Sequence, residues 1–154
     1  MTITQEQRDL LLKDLCGRLP YGVKIQTPAD CWTSETVICE LKEIFKGDDG
    51  LFRIGGVGAL IEYSKPYLFP ISSMTKEQIA ELAELCDMYT PDDDYHPYAY
   101  MGIEVLYKHV LDDSYKFIKD IKTDVIDFFH KNHIDYLGLI PKGLAEDATG
   151  KNIY

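Results

Sequence analysis

The stretch IEYSKPYLFPISSMTKE, residues 61–77, decides how the rest of the chain is interpreted. Pro66 and Pro70 have no backbone N–H and a fixed φ angle, which argues against the middle of a helix or of a central strand. Each proline also favours extended geometry in the residue before it. The residues between the prolines are apolar enough to pack on a core. The stretch therefore predicts a rigid, extended crossing segment that turns at residues 72–74.

Two capping boxes mark helix starts, one near the beginning of the chain and one at the end of this stretch. In Thr4-x-x-Gln7 and Thr75-x-x-Gln78, two side chains three residues apart satisfy free N–H groups of a first helical turn. Gly17 suits the position after the end of the first helix. Apolar residues at helical spacing complete the pattern. Helices are predicted over residues 5–16, 76–87 and 115–132.

Alternating and β-prone segments fill most of the first half of the chain. Strands are predicted over residues 23–26, 36–45, 51–54 and 59–63. Residues 47–50 form a hairpin turn between two of them. The glycines of residues 55–58 lack the third glycine and the helix of a dinucleotide fingerprint, so they predict a tight link between strands. Residues 98–111 fit either a strand or a helix.

These elements predict one globular α+β domain over residues 1–154. Its core is a small antiparallel sheet, or a partly closed barrel, between residues 23 and 68, packed by about three helices. A chain of 154 residues is long enough to bury its own core without disulfides. No C-x-x-C pair is present, which argues against a zinc site built from cysteines.

The composition restricts where the protein acts. No apolar run approaches the roughly 20 residues that span a bilayer. The first 15 residues carry charges within their apolar stretch and have no small-residue cleavage site, unlike a signal peptide. We therefore expect a cytoplasmic protein with reduced cysteines and no membrane contact.

The charge is strongly acidic and unevenly placed. The formal net charge is −10, which argues against direct nucleic-acid binding because phosphates require a basic surface. Between Lys76 and Lys108 the sequence holds eight Asp or Glu residues and no Lys or Arg. The remainder of the chain carries a net charge of only −2.

Tyrosines are interleaved with the acids at the centre of this interval. Tyrosine gives a large, stiff contact area, and carboxylates attract a basic partner over long range. The alternative is a solvated loop whose tyrosines rest on the protein body. Asp92-Asp93-Asp94 does not fit an EF-hand, since Pro97 stands where the loop needs glycine. The candidate binding residues are Tyr89, Asp92, Asp93, Asp94, Tyr95, His96, Tyr98 and Tyr100.

A second candidate site lies near the end of the third helix. His130 and His133 are three residues apart and lie on neighbouring faces of a helix end, so with Asp135 they are candidate metal ligands. Together with Tyr136 they are also the alternative centre for a small enzyme. The structural alternative is a helix-end cation, a capping histidine and an Asx turn. No nucleophile with a positioned base is readable beside them, and no catalytic residue or cofactor is predicted.

Three blocks of sequence carry a resemblance. They are LPYG at residues 19–22, KPYLFPISSMT at 65–75, and HIDYLGLIPKGLA at 133–145. In these blocks the chain resembles a widespread group of small proteins from gut anaerobic bacteria, their prophages and related phages, for which no activity is known. Residues 86–116 match nothing in that group. The resemblance implies an accessory protein of a phage or mobile element.

We therefore expect a non-enzymatic interaction module whose acidic, tyrosine-rich segment binds a basic protein. A narrower hypothesis is nucleic-acid mimicry, in which carboxylates replace phosphates on a DNA-binding protein. The alternative is a small metal-binding protein or enzyme centred on His130, His133, Asp135 and Tyr136. The sequence leaves the identity of the partner and the oligomeric state open.

Overall fold

The computed structural model describes residues 3–29, 35–85 and 123–154. The chain divides into two compact units, which are described separately below. The first unit comprises Met1–Leu68 and Leu139–Tyr154, and the second unit comprises Phe69–Gly138. Whether the two units form the one globular domain predicted over residues 1–154 is not tested by this division, so it stays a prediction.

In the first unit, helix α1 covers Gln5–Arg18. The predicted capping box is present: the Gln7 N–H donates to the Thr4 hydroxyl, and the Thr4 N–H donates to the Gln7 side chain. Leu11 and Leu15 are fully buried. The predicted end at residue 16 is wrong. Gly17 lies inside the helix, and the left-handed position falls at Gly22, with φ 66° after a 3₁₀ turn.

Among the described residues, the first unit contains five strands and part of a sixth. Strands β1, Lys24–Pro28, and β2, Thr36–Glu40, pair antiparallel. Strands β3, Ile44–Lys46, and β4, Phe52–Ile54, form a separate antiparallel hairpin, as predicted. Strand β5 is Lys65–Pro70, and β6 and β7 are defined below. The α+β class is confirmed. Because β3 and β4 form their own two-stranded sheet, the described strands of this unit do not close into a barrel.

Two predicted strands are wrong. Residues 36–45 are not one strand, because the chain breaks between β2 and β3 at the position of Glu43, the one residue that violates the alternation. Phe45 is consequently 40% exposed rather than buried. Residues 59–63 make only an isolated bridge at Leu60 and then a 3₁₀ turn over Ile61–Tyr63. The glycine link before them is tight, as predicted, with Gly58 donating to the Ile54 carbonyl.

The segment around the prolines is a central strand, contrary to the sequence prediction. Ile25 of β1 lies antiparallel opposite Pro66, while β7, Glu146–Asp147, runs parallel to Tyr67 and Leu68. The sheet of the first unit is therefore mixed rather than antiparallel.

The placement of the prolines explains how a central strand tolerates them. Alternate residues of a strand direct their N–H and C=O groups to opposite edges. Pro66 and Pro70 share one edge with Leu68, whose carbonyl accepts from the Ala148 N–H. The missing donors on either side of Leu68 limit β7 to two residues. The opposite edge, that of Lys65 and Tyr67, keeps its N–H groups.

In the second unit, helices α2, Lys76–Leu85, and α3, Thr123–Lys131, provide most of the described structure. Strand β6, Ile134–Asp135, runs parallel to the end of β5 at Phe69 and Pro70. The core consists of apolar residues from all these elements, namely Ile71, Met74, Leu82, Val125, Phe128, Phe129, Ile134, Tyr136 and Leu137. The helices agree with prediction where they are described. Residues 86–87 and 115–122 of the predicted helices, and the whole segment 98–111, lie outside the described residues.

Candidate functional site

Helix α2 carries the described part of the acidic interval. Its predicted capping box is formed, with Gln78 N–H donating to the Thr75 hydroxyl and Thr75 N–H donating to the Gln78 side chain. Leu82 is buried on one side. Glu77, Glu81 and Glu84 are exposed, and their spacing of four and three residues places them on one helix face.

These three carboxylates belong to a set of exposed acids in the second unit. The pKa of Glu77 is held below its ordinary value by its own backbone N–H and by the Thr75 hydroxyl. No Lys or Arg nitrogen of the described residues lies within 4.0 Å of any of the three carboxylates. Asp124 and Asp127 of α3, in the same unit, are also exposed. We call these five residues the acidic surface.

The division of charge follows the division into units. The first unit holds ten Lys or Arg and twelve Asp or Glu residues, a net charge of −2. The second unit holds six and fourteen, a net charge of −8. The boundaries of the second unit therefore enclose most of the negative charge that the sequence concentrates after Lys76.

The candidate binding residues themselves lie outside the described residues. This applies to all eight of them, Tyr89, Asp92, Asp93, Asp94, Tyr95, His96, Tyr98 and Tyr100. Their role stays a prediction.

The second candidate site is a packed contact at the end of α3. His130 Nε2 and the Tyr136 hydroxyl share a hydrogen bond of 3.1 Å. The Tyr136 ring stacks on Phe129, with ring centroids 5.1 Å apart and planes 9° apart. His130, Asp135 and Tyr136 are all buried, with 4–5% of their surface exposed. The histidine and tyrosine thus belong to the core of the second unit.

His133 serves the turn that follows α3. It has a left-handed φ of 54°, and its N–H donates to the His130 carbonyl, which closes the helix end. Its own carbonyl accepts from the Phe69 N–H and so begins the pairing of β6 with β5. The predicted capping role of a histidine is present at this position.

The predicted metal ligands do not come together. No group of three or more His, Cys, Asp or Glu side chains within residues 3–29, 35–85 and 123–154 is placed to hold a metal ion. His130, His133 and Asp135 all lie in these ranges, so the three-ligand site predicted from their spacing is not formed. The reason is that His130 faces Tyr136 in the core, while the chain reverses at His133. The use of these residues in an enzyme stays a prediction.

Sequence reasoning missed two polar features of the first unit. The Asp14 carboxylate and the Arg18 guanidinium form a completely buried pair, with Nε–Oδ2 2.7 Å and Nη2–Oδ1 2.9 Å. Their spacing of four residues is a readable signal for a helical ion pair, but the predicted helix ended at residue 16, before Arg18. The other feature is the Tyr154 hydroxyl, which lies between β1 and β5. Its distance along the chain from both strands gave no local signal.

Among the helices in the described part of the chain, none combines the length and the apolar character required of a membrane span. Comparison with models of known protein families, with curated proteins and with solved structures finds no match to this chain.

Proposed function

We propose that the protein is a non-enzymatic, cytoplasmic interaction module of phage or mobile-element type, whose second unit binds a basic protein. The observation that carries this proposal is the net charge of −8 on the second unit against −2 on the first. Exposed carboxylates raise the rate of encounter with a basic partner and disfavour acidic ones.

The arrangement of α2 supports the proposal in more detail. Glu77, Glu81 and Glu84 point from one exposed face and form no ion pair with a described residue. A carboxylate that is already paired within its own molecule has less to offer a partner than an unpaired one. Tyr89, Tyr95, Tyr98 and Tyr100 would supply the contact area that charge alone does not provide.

Nucleic-acid mimicry is the narrower form of the proposal. Duplex DNA carries one charge per about 1.7 Å of its axis. The three glutamates of α2 are spread over roughly 10 Å of helix, from a rise of about 1.5 Å per residue. Helix α2 alone is therefore too sparse to imitate a duplex, and the mimic requires Asp92, Asp93 and Asp94 as well.

The proposal is tested by titrating a homo-lysine peptide of about 20 residues into the full chain at several salt concentrations. The variant has Glu77→Gln, Glu81→Gln and Glu84→Gln. The matched control has Glu6→Gln, Glu35→Gln and Glu43→Gln, three exposed glutamates of the first unit. We expect the variant to lose about tenfold in affinity and to show a weaker salt dependence, whereas the control changes little. Equal losses in both would contradict a surface confined to the second unit.

Mimicry is tested by changing Asp92, Asp93 and Asp94 to asparagine. Proteins captured from a bacterial lysate by the full chain at low salt would be eluted with a duplex of about 20 base pairs. If mimicry holds, the duplex releases captured proteins from the wild-type chain, and the asparagine variant captures far less of them. Capture that is unchanged in the asparagine variant, or that duplex DNA does not displace, would exclude mimicry while leaving the broader proposal standing.

A further inference from the structure

The pairing of β1 with β5 ends at a hydroxyl group from a distant part of the chain. Ile25 lies opposite Pro66 and Gln26 opposite Lys65, so the next step of this register would place Lys24 opposite Tyr67. At that step the Tyr154 hydroxyl accepts from the Lys24 N–H at 3.1 Å and donates to the Tyr67 carbonyl at 2.7 Å. The hydroxyl therefore links a donor of one strand with an acceptor of the other.

This pair of backbone groups favours a partner that can accept one hydrogen bond and donate another. A single atom that both accepts and donates is found in a hydroxyl group, whereas an ammonium only donates and a carboxylate only accepts. Burial raises the pKa of Tyr154 to about 12, against the opposing effects of the Lys24 N–H and the Arg18 guanidinium. The phenol thus stays protonated and keeps donating to Tyr67 at neutral pH.

The rest of the segment that carries this phenol is largely exposed. Tyr154 as a whole is 46% exposed, although its hydroxyl lies between the strands. Residues 149–152 are all exposed, and only Ile153 is half-buried. A segment with few buried apolar contacts opens at low free-energy cost. When it opens, a backbone donor and an acceptor lose their shared partner.

We propose that β1 and β5 form a phenol-binding site that Tyr154 occupies from within the same chain, and that a para-substituted phenol occupies it when that side chain is absent. Removal of the ring leaves the Lys24 N–H and the Tyr67 carbonyl without their shared partner, and a ligand hydroxyl that both accepts and donates restores both hydrogen bonds. Sites vacated by a side chain can bind small molecules of the same shape. The site recognises a tyrosine-like ligand through the Lys24 N–H and the Tyr67 carbonyl.

The test uses the full chain with Tyr154→Ala and p-cresol, the side-chain analogue of tyrosine, as the probe. We expect millimolar p-cresol to raise the Tm of this variant by about 3 °C, by selective binding to the folded state. Toluene has the same shape without the hydroxyl and should give no comparable rise. The matched control is Tyr63→Ala, since Tyr63 is 54% exposed in the same unit and its hydroxyl makes no hydrogen bond within the described residues.

A p-cresol effect of equal size in wild type, Tyr154→Ala and Tyr63→Ala would overturn the proposal, as would an equal effect of toluene. Tyr154→Phe provides a second measurement that does not depend on the alanine variant folding well. It keeps the ring and removes the hydroxyl, so the Lys24 amide should exchange with solvent about tenfold faster. Unchanged exchange of that amide would show that the hydroxyl is not the linking group.

Discussion

The two units of the chain handle charge in different ways. In the first unit, several charged side chains are paired with one another: Arg8 with Glu62, Lys24 with Glu40, and Lys65 with Glu146, besides the buried pair of Asp14 and Arg18. In the second unit, the glutamates of α2 face solvent and form no ion pair with a described residue. The ion pairs named above therefore all lie in the first unit, and none involves the glutamates of α2.

The two units also differ in the kind of polar pair that they bury. The first unit encloses an ion pair, Asp14 and Arg18, at 0% exposure. The second unit encloses the hydrogen bond between His130 and Tyr136, supported by stacking on Phe129. Removing one member of a buried ion pair leaves the other charge in the low-dielectric interior of the protein. Removing a hydroxyl leaves one neutral polar atom without that hydrogen bond, which costs less. The first unit should therefore be the more sensitive to a single polar substitution.

The largest expected effect is that of Asp14→Leu. It leaves the Arg18 guanidinium buried without its carboxylate, and we expect a loss of about 3–5 kcal/mol in the free energy of unfolding. The double variant Asp14→Leu with Arg18→Met should recover most of that loss, because both charges of the pair are removed. Urea unfolding followed by circular dichroism measures both. A single variant within about 1 kcal/mol of wild type would contradict a structural role for the pair.

Local features were predictable from the sequence where a few neighbouring residues determine them. Both capping boxes formed as predicted because their two hydrogen bonds depend only on residues three apart. The β3–β4 hairpin was likewise predictable from its turn residues. The end of α1 was not predictable in this way. Gly17 inside the helix costs about 1 kcal/mol of stability. The helix nevertheless continues to Arg18, whose guanidinium pairs with Asp14 in the interior.

Features that depend on distant partners were not predictable. The prolines of β5 argued against a central strand, because proline cannot donate a backbone hydrogen bond to a neighbouring strand. That restriction affects only the edge of β5 to which the prolines point. The short strand β7 is the partner on that edge. For the candidate sites, helical spacing brought His130 and His133 near each other in the sequence without fixing where each imidazole points. The contact of His130 with Tyr136 depends on the reversal at His133, which spacing does not show.

A smaller effect is expected from Tyr136→Phe in the second unit. The ring and its stacking on Phe129 remain, and the loss is that of the hydrogen bond to His130, about 1–2 kcal/mol in the free energy of unfolding. Tyr63→Phe is the control, because that exposed hydroxyl makes no hydrogen bond in the described part of the chain. If Tyr136→Phe cost as much as Asp14→Leu, the two units would not differ in the way their buried polar groups are arranged.

The smallest effect concerns two exposed carboxylates, one in each unit. The pKa of Asp49 is depressed first by a hydrogen bond from the Arg53 guanidinium and then by the Leu51 N–H. The pKa of Glu77 is depressed first by its own N–H and then by the Thr75 hydroxyl, neither of which carries a net charge, and least by the charge of Lys76. Both carboxylates therefore stabilise the folded state above their unfolded pKa values, near 4, and this stabilisation is lost as the pH falls through the lower folded values.

Salt should separate these two carboxylates, because it screens the charged guanidinium more than neutral donors. We expect 1 M NaCl to move the pKa of Asp49 towards its ordinary value and to leave that of Glu77 nearly unchanged, as measured by NMR titration of the side-chain carboxyl carbons. Arg53→Gln should reproduce the effect of salt on Asp49 alone. Equal movement of both values would mean that the charge of Lys76, rather than the neutral donors, dominates the pKa of Glu77, and the contrast between Asp49 and Glu77 would fail.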